Sequence, residues 1–76
     1  MTPRPDRHPI VLALKGRRIA LGLSQREVAA AAGTWQGRLT AWETGHAVPT
    51  LDSLTAWAAA LGCELVLAET DREETR

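Results

Sequence analysis

One face of the segment 36–43 carries the side chains of this chain that are best suited to recognise another molecule. In a helix, positions i, i+1, i+4 and i+5 lie on one side, and here they hold only small or polar residues: Gln36, Gly37, Thr40 and Ala41. A glutamine amide can make two hydrogen bonds to adenine N6 and N7, and a threonine can contact a thymine methyl group or accept a hydrogen bond. We therefore predict that this face reads base edges in the major groove of DNA.

The elements around this face predict a pair of short helices. Leu39 and Trp42 lie on the opposite side of the segment, where they would anchor it to an apolar core. Before it, Ser24 and Glu27 have the spacing of a capping box at the start of a helix, and Gly33 suits the left-handed residue that ends one. Two helices joined by a tight break, the second with a flat polar face, are typical of a helix-turn-helix unit.

The charges of the chain are separated along its length. The 76 residues include nine basic and nine acidic side chains, so the formal net charge is zero. Residues 1–38 hold seven basic and two acidic residues, a net charge of +5, and residues 39–76 hold two basic and seven acidic residues, a net charge of −5. A basic half favours a nucleic-acid partner, although the total charge alone would argue against one.

Several short motifs, in matching order and spacing, resemble the phage-repressor family of helix-turn-helix proteins, which is the Cro/repressor or XRE type. They are Gly22-Leu23-Ser24-Gln25, Val28-Ala29, Ala32-Gly33, Leu39, Trp42-Glu43-Thr44-Gly45 and Pro49. The resemblance covers residues 10–62. It implies a compact bundle of four or five helices that binds operator DNA, usually as a dimer.

One charged residue falls on an apolar stripe of the first predicted helix. The stripe consists of Ile10, Leu14, Arg18 and Leu21, and a buried guanidinium there needs a partner because its desolvation is costly. Glu43 is the candidate. The resemblance implies the same pair, and we interpret Arg18–Glu43 as structural rather than catalytic.

Six residues are predicted to contact the sugar-phosphate backbone of DNA: Gln25, Arg26, Trp35, Arg38, Thr44 and His46. The resemblance implies the phosphate role of Gln25, whose amide could also touch Gln36 across the turn. For Arg26 and Arg38 a solvated surface charge is an equally good interpretation, and for His46 a solvated loop residue is the better one. Trp35 could pack on the DNA edge or on its own helix. Because Gly37 and Ala41 are so small, part of the recognition is left to DNA shape.

The segment 63–68 changes the pattern of the chain. Its residues Cys63, Glu64, Leu65, Val66, Leu67 and Ala68 include an apolar run that is too short for a stable helix and suits a buried strand. The sequence has no second strand candidate, so we expect antiparallel pairing with the same strand of a second copy, which would satisfy the backbone groups. This design resembles HipB-type antitoxins. The alternative is a fifth helix packed on the bundle.

The expected fold class is all-α: a compact four-helix helix-turn-helix bundle with a short C-terminal β-strand shared across a dimer. Residues 1–9 would form a flexible arm, residues 10–68 the DNA-binding domain with the dimerisation strand 63–68, and residues 69–76 a disordered tail. The fourth helix, over residues 51–61, would bury the stripe Leu51, Leu54, Trp57, Ala58 and Leu61.

We expect a sequence-specific DNA-binding transcription regulator, a homodimeric repressor of a pseudo-palindromic operator on double-stranded DNA. One alternative is an antitoxin that represses its own operon and also binds a toxin protein. A second is a dimerising protein-interaction adaptor that does not bind DNA.

Other classes of protein are not expected. Neither histidine has a serine or cysteine at triad spacing, and the one cysteine cannot form an internal disulfide or a zinc site, so we expect no enzyme, no cofactor and no metal. The chain has neither an apolar run long enough to span a membrane nor a signal-peptide pattern. We therefore expect a cytoplasmic protein that lies at the nucleoid when it is bound to DNA.

Overall fold

A computed structural model describes residues 8–70, and this range contains four helices. They are α1 (Pro9–Ala20), α2 (Gln25–Ala31), α3 (Gln36–Thr44) and α4 (Leu51–Ala60). The predicted four-helix, all-α architecture is therefore confirmed. The expectations for residues 1–7 of the arm and 71–76 of the tail lie outside the described residues. None of the helices within 8–70 is long and apolar enough to cross a membrane.

The helix boundaries follow from local hydrogen bonds. At the start of α2, the hydroxyl of Ser24 accepts from the Glu27 N–H at 3.0 Å and the Glu27 carboxylate accepts from the Ser24 N–H at 2.8 Å, which is the predicted capping box. These bonds lower the pKa of Glu27, mainly through the Ser24 backbone. Gly33, with φ of 77°, follows α2 and allows the left-handed turn that redirects the chain into α3.

The core lies where the four helices meet. Its buried residues are Val11, Leu14, Val28, Ala29, Leu39, Trp42, Trp57, Ala58 and Leu61. The rings of Trp42 and Trp57 are stacked, with centroids 5.6 Å apart. This stack joins α3 to α4, and it places the second half of the helix-turn-helix unit on a rigid apolar support.

Two leucines that the helical stripes assign to the core are exposed, and these predictions are wrong. Leu21 lies one residue beyond the end of α1, where the chain turns at Gly22. Leu51 is the first residue of α4, and its side chain lies beyond the neighbouring helices. Val11, which the stripe leaves out, is buried instead of Leu21. Helical periodicity identifies a face, but it does not tell where neighbouring helices stop covering that face.

The segment that follows α4 is neither helix nor strand over residues 63–70. The Cys63 N–H donates to the Ala58 carbonyl at 2.8 Å, and Gly62 has a φ of 71°, so the helix closes with a left-handed cap. Cys63 and Leu65 pack partly against the core, whereas Val66 and Leu67 are 76% and 99% exposed. The fifth-helix alternative does not occur in the described range. The shared strand stays a prediction, because a single chain offers it no partner.

Candidate nucleic-acid interface

The α2–turn–α3 unit holds the predicted base-reading surface on the outside of the bundle. This surface, called the reading face below, consists of Gln36, Gly37, Thr40 and Ala41. Leu39 is fully buried and Trp42 nearly so, which fixes the rotation of α3 about its own axis. On the opposite side, Gln36 and Gly37 are exposed, and Thr40 and Ala41, one turn further on, are half-buried. The N-terminal turn of α3 is therefore the more accessible part of the face, as in recognition helices that insert their N-terminal residues into the major groove.

A buried ion pair fastens α3 to α1. Arg18 Nε donates to Glu43 Oε2 at 2.8 Å, and Arg18 Nη2 donates to Glu43 Oε1 at 3.1 Å. The third nitrogen, Nη1, donates to the Leu23 carbonyl at 2.9 Å. The side chains of Arg18 and Glu43 are only 14% and 1% exposed. The hydrogen bonds to Glu43 raise the pKa of Arg18 above its ordinary value and outweigh the opposing effect of burial.

Gln25 connects this ion pair to the reading face, a role that sequence reasoning missed. Its Nε2 donates to Glu43 Oε1 at 3.0 Å, and its Oε1 accepts from the Thr40 hydroxyl at 2.7 Å. Within the described residues, the amide of Gln25 makes its hydrogen bonds to Glu43 and Thr40, and none joins it to Gln36. Thr40 and Glu43 lie three residues apart on α3, and this spacing is the signal that could have suggested a shared partner.

Trp35 lies over the first turn of α3. It occupies the N-cap position without a side-chain capping bond and is 62% exposed. A β-carbon on Gly37 would lie 3.4 Å from Trp35 Cδ1, so the indole lies directly against the glycine. The guanidinium carbon of Arg38 is 5.2 Å from the Trp35 ring centroid and 5.7 Å from that of Trp42. Arg38 is thereby held beside the reading face by two cation–π contacts.

The C-terminal end of α3 presents two further polar residues. The Thr44 hydroxyl donates to the Thr40 carbonyl at 2.8 Å, and its oxygen lies 2.7 Å from His46 Nδ1. Both residues are exposed, as is Arg26 on the first turn of α2. Four of the six predicted phosphate-contacting residues therefore lie at the two ends of α3, Trp35 and Arg38 at its start and Thr44 and His46 at its end.

Two helices that meet at a tight left-handed turn, the second with a flat polar outer face and a buried apolar back, define a helix-turn-helix DNA-binding unit. The family profile for helix-turn-helix domains matches residues 14–67, and the chain belongs to this family, the XRE or phage-repressor type. The predicted family is thus confirmed, and the protein is a DNA-binding transcription regulator. This family is regulatory and not enzymatic. The comparison with curated proteins gave no match.

Proposed function

We propose that the protein is a dimeric repressor that places two copies of α3 in successive major grooves of a pseudo-palindromic operator. The observation that carries the proposal is the exposed first turn of α3, where Gln36 can make two hydrogen bonds to adenine and the indole of Trp35 lies beside it against Gly37. The two recognition helices would lie about 34 Å apart, one turn of the DNA helix. Repression would follow from occupation of the promoter.

Phosphate contacts would come from the residues that border this face. Arg38, Arg26 and His46 are exposed, and their side chains carry or can carry positive charge. Trp35 would pack on the sugar-phosphate edge, and the second amide hydrogen of Gln25 is free of the bond to Glu43 and would donate to a phosphate oxygen. Arg18 takes no part, because its side chain is only 14% exposed and is held by Glu43 and the Leu23 carbonyl.

The dimer would form through residues 63–68 of the two copies. Val66 is three-quarters exposed and Leu67 almost fully so, and the backbone around them lacks regular hydrogen bonds in residues 63–70. Antiparallel pairing about a two-fold axis would cover the two side chains and satisfy the backbone at the same time.

Selection of binding sites from a pool of random duplexes tests the proposed function. We expect a palindrome whose half-sites are about 10 base pairs apart between centres, and binding that weakens steeply with salt because phosphate contacts release counterions. A selected pool without a palindrome would contradict the dimeric arrangement. Salt-insensitive binding would instead favour the adaptor alternative.

The interface of the dimer has its own test. In a two-stranded antiparallel pair, alternate backbone N–H groups face the partner, so one of the two variants Val66→Pro and Leu67→Pro removes an N–H that the shared strand needs. We expect that variant to be a monomer in light scattering after gel filtration. Glu69→Pro, one residue beyond the predicted strand, is the matched control and should remain a dimer. If Val66→Pro and Leu67→Pro were both dimers, the strand would be overturned.

An antitoxin is the second candidate, and the same segment favours it. Residues 63–70 lack the fifth helix with which typical members of the family end, and this departure resembles the HipB-type antitoxins. A toxin would then be a second partner of the dimer. Purification of the tagged chain from its native host separates the two candidates, because an antitoxin should bring one stoichiometric partner protein with it and a simple repressor should not.

A further inference from the structure

We propose that a buried chain of hydrogen bonds fixes Thr40 as a pure hydrogen-bond acceptor towards DNA. The chain runs from Arg18 through Glu43 and Gln25 to the Thr40 hydroxyl. Thr40 would therefore select bases that present an amino group in the major groove, adenine or cytosine, and reject guanine and thymine. This inference rests on the proposed function, because it assumes that the outer face of α3 meets base edges.

The first link of the chain is Glu43. Both of its oxygens accept hydrogen bonds, Oε2 from Arg18 Nε and Oε1 from Arg18 Nη2 and Gln25 Nε2. The side chain is 1% exposed, so water does not compete for these positions. The bidentate guanidinium holds the carboxylate in one orientation, with Oε1 directed at α2.

The second link is Gln25, whose amide has only one consistent orientation. A carboxylate oxygen accepts, so the amide nitrogen of Gln25 must face Glu43 and the amide oxygen must face Thr40. That oxygen lies 2.7 Å from Thr40 Oγ1. Since a carbonyl oxygen cannot donate, the hydroxyl of Thr40 supplies the proton of this bond.

The third link decides what Thr40 offers to DNA. A hydroxyl has one proton and two lone pairs, and the proton of Thr40 is already used inside the protein. Thr40 is half-buried on the outer face of α3, so its remaining lone pair and methyl group are what a base can meet. Adenine N6 and cytosine N4 donate in the major groove, whereas guanine O6 and thymine O4 present acceptors that would oppose this lone pair.

Gln25 is thus a positioning residue: it sets the polarity of Thr40 without reading the base. The two roles can be told apart by measurement. Loss of a phosphate contact weakens binding to all sequences alike, whereas a Thr40 hydroxyl that becomes free to donate changes the base preference at one base pair. Gln25→Met keeps the length of the side chain, removes both hydrogen bonds and leaves the Thr40 hydroxyl free to donate.

Thr40→Val first identifies the operator position at which the base preference of the wild type is lost. The experiment then compares binding to duplexes that carry each of the four base pairs at that position. The wild type should favour adenine or cytosine over guanine or thymine by about five- to thirtyfold, the range expected when a wrong base leaves a desolvated polar group unpaired. Thr40→Ser keeps the hydroxyl and should keep the preference. Gln25→Met should lose it, and Arg26→Gln is the control that lowers binding to all four duplexes equally.

Two results would overturn the inference. One is a Gln25→Met protein, folded by circular dichroism, that binds all four duplexes more weakly but keeps the wild-type preference. The other is a wild-type preference for guanine or thymine at the position of Thr40.

A measurement without DNA separates this inference from the proposed function. In the free protein the Thr40 hydroxyl proton should exchange slowly enough for detection by NMR, and the signal should disappear in Gln25→Met. A rapidly exchanging hydroxyl in the wild type would overturn the hydrogen-bond chain alone. If the wild type selects no binding site at all, the proposed function fails, and the role of Thr40 in base selection fails with it.

Discussion

The two ends of α3 are built differently. The first turn, with Trp35, Gln36 and Gly37, is exposed, begins without a side-chain cap and is supported by aromatic and cation–π contacts. The second half is tied to α1 and α2 through the hydrogen bonds of Thr40 and Glu43. On the proposed function, the first turn would adjust its side chains when it meets DNA, whereas the second half would meet DNA with its donors and acceptors already assigned.

The largest effect is expected from removing the ion pair that fastens the second half of α3 to α1. Glu43→Ala leaves the Arg18 guanidinium without its partner in a mostly buried position, so we expect the free energy of unfolding to fall by about 3–5 kcal/mol. Chemical denaturation measures it. Glu69→Ala, at an exposed glutamate outside the predicted strand, is the control and should stay within about 0.5 kcal/mol of the wild type. An unchanged midpoint for Glu43→Ala would refute the structural role of the pair.

A substitution in the first turn of α3 should lower base discrimination and leave stability nearly unchanged. Gln36→Ala removes no hydrogen bond within the described residues, so stability should hardly change, but discrimination for adenine at one operator position should fall by about 1–3 kcal/mol. Competitive binding to operators with single base changes measures this loss. A stability loss as large as that of Glu43→Ala would show that the two ends do not differ as described.

Trp35 sharpens the comparison further. Trp42 and Trp57 are buried, so collisional quenching of tryptophan fluorescence reports mainly on Trp35. Operator DNA should protect the wild type from acrylamide, and Trp35→Ala should weaken binding to all sequences by about 0.5–1 kcal/mol, since Arg38 loses one of its cation–π supports. Quenching that is identical with and without saturating DNA would place Trp35 away from the interface.

The smallest expected effect concerns pH and the start of α2. The pKa of Glu27 is lowered from its ordinary 4.5 by the hydrogen bond from the Ser24 backbone and then by that from its hydroxyl. A lowered pKa in the folded state means that the capping carboxylate stabilises the protein above pH 4.5 and that this contribution is lost as the pH falls through the lowered value. The difference in melting temperature between wild type and Glu27→Gln should therefore shrink towards low pH. A difference that does not vary with pH would contradict this assignment.

Local patterns in the sequence predict much of this fold. The capping box at Ser24, the glycine at position 33 and the buried pair Leu39 and Trp42 are set by spacing along a single helix or turn, and the structure has all of them. The pairing of Arg18 with Glu43 could be predicted because a cation on an apolar stripe needs a partner of opposite charge.

The parts that could not be predicted depend on how helices meet. Leu21 and Leu51 have the right phase for the core but lie where no neighbouring helix covers them. The spacing of Thr40 and Glu43 places them on one face of α3, but which residue of α2 reaches both depends on the angle between the two helices, which spacing does not give. The pairing of residues 63–68 could not be predicted from contacts within one chain, because the proposed strand would need a second chain.

The bond between Gln25 and Thr40 has a consequence for redesign. If residues 36–44 were grafted onto a scaffold without a glutamine at the position of Gln25, the transplanted helix would bring Thr40 but not the amide on α2 that holds its proton. The hybrid would present a hydroxyl free to turn either way, and its choice of base would be looser than that of the donor. If Thr40 reads a base as proposed, engineering a new target for this protein would mean exchanging Gln25 together with α3.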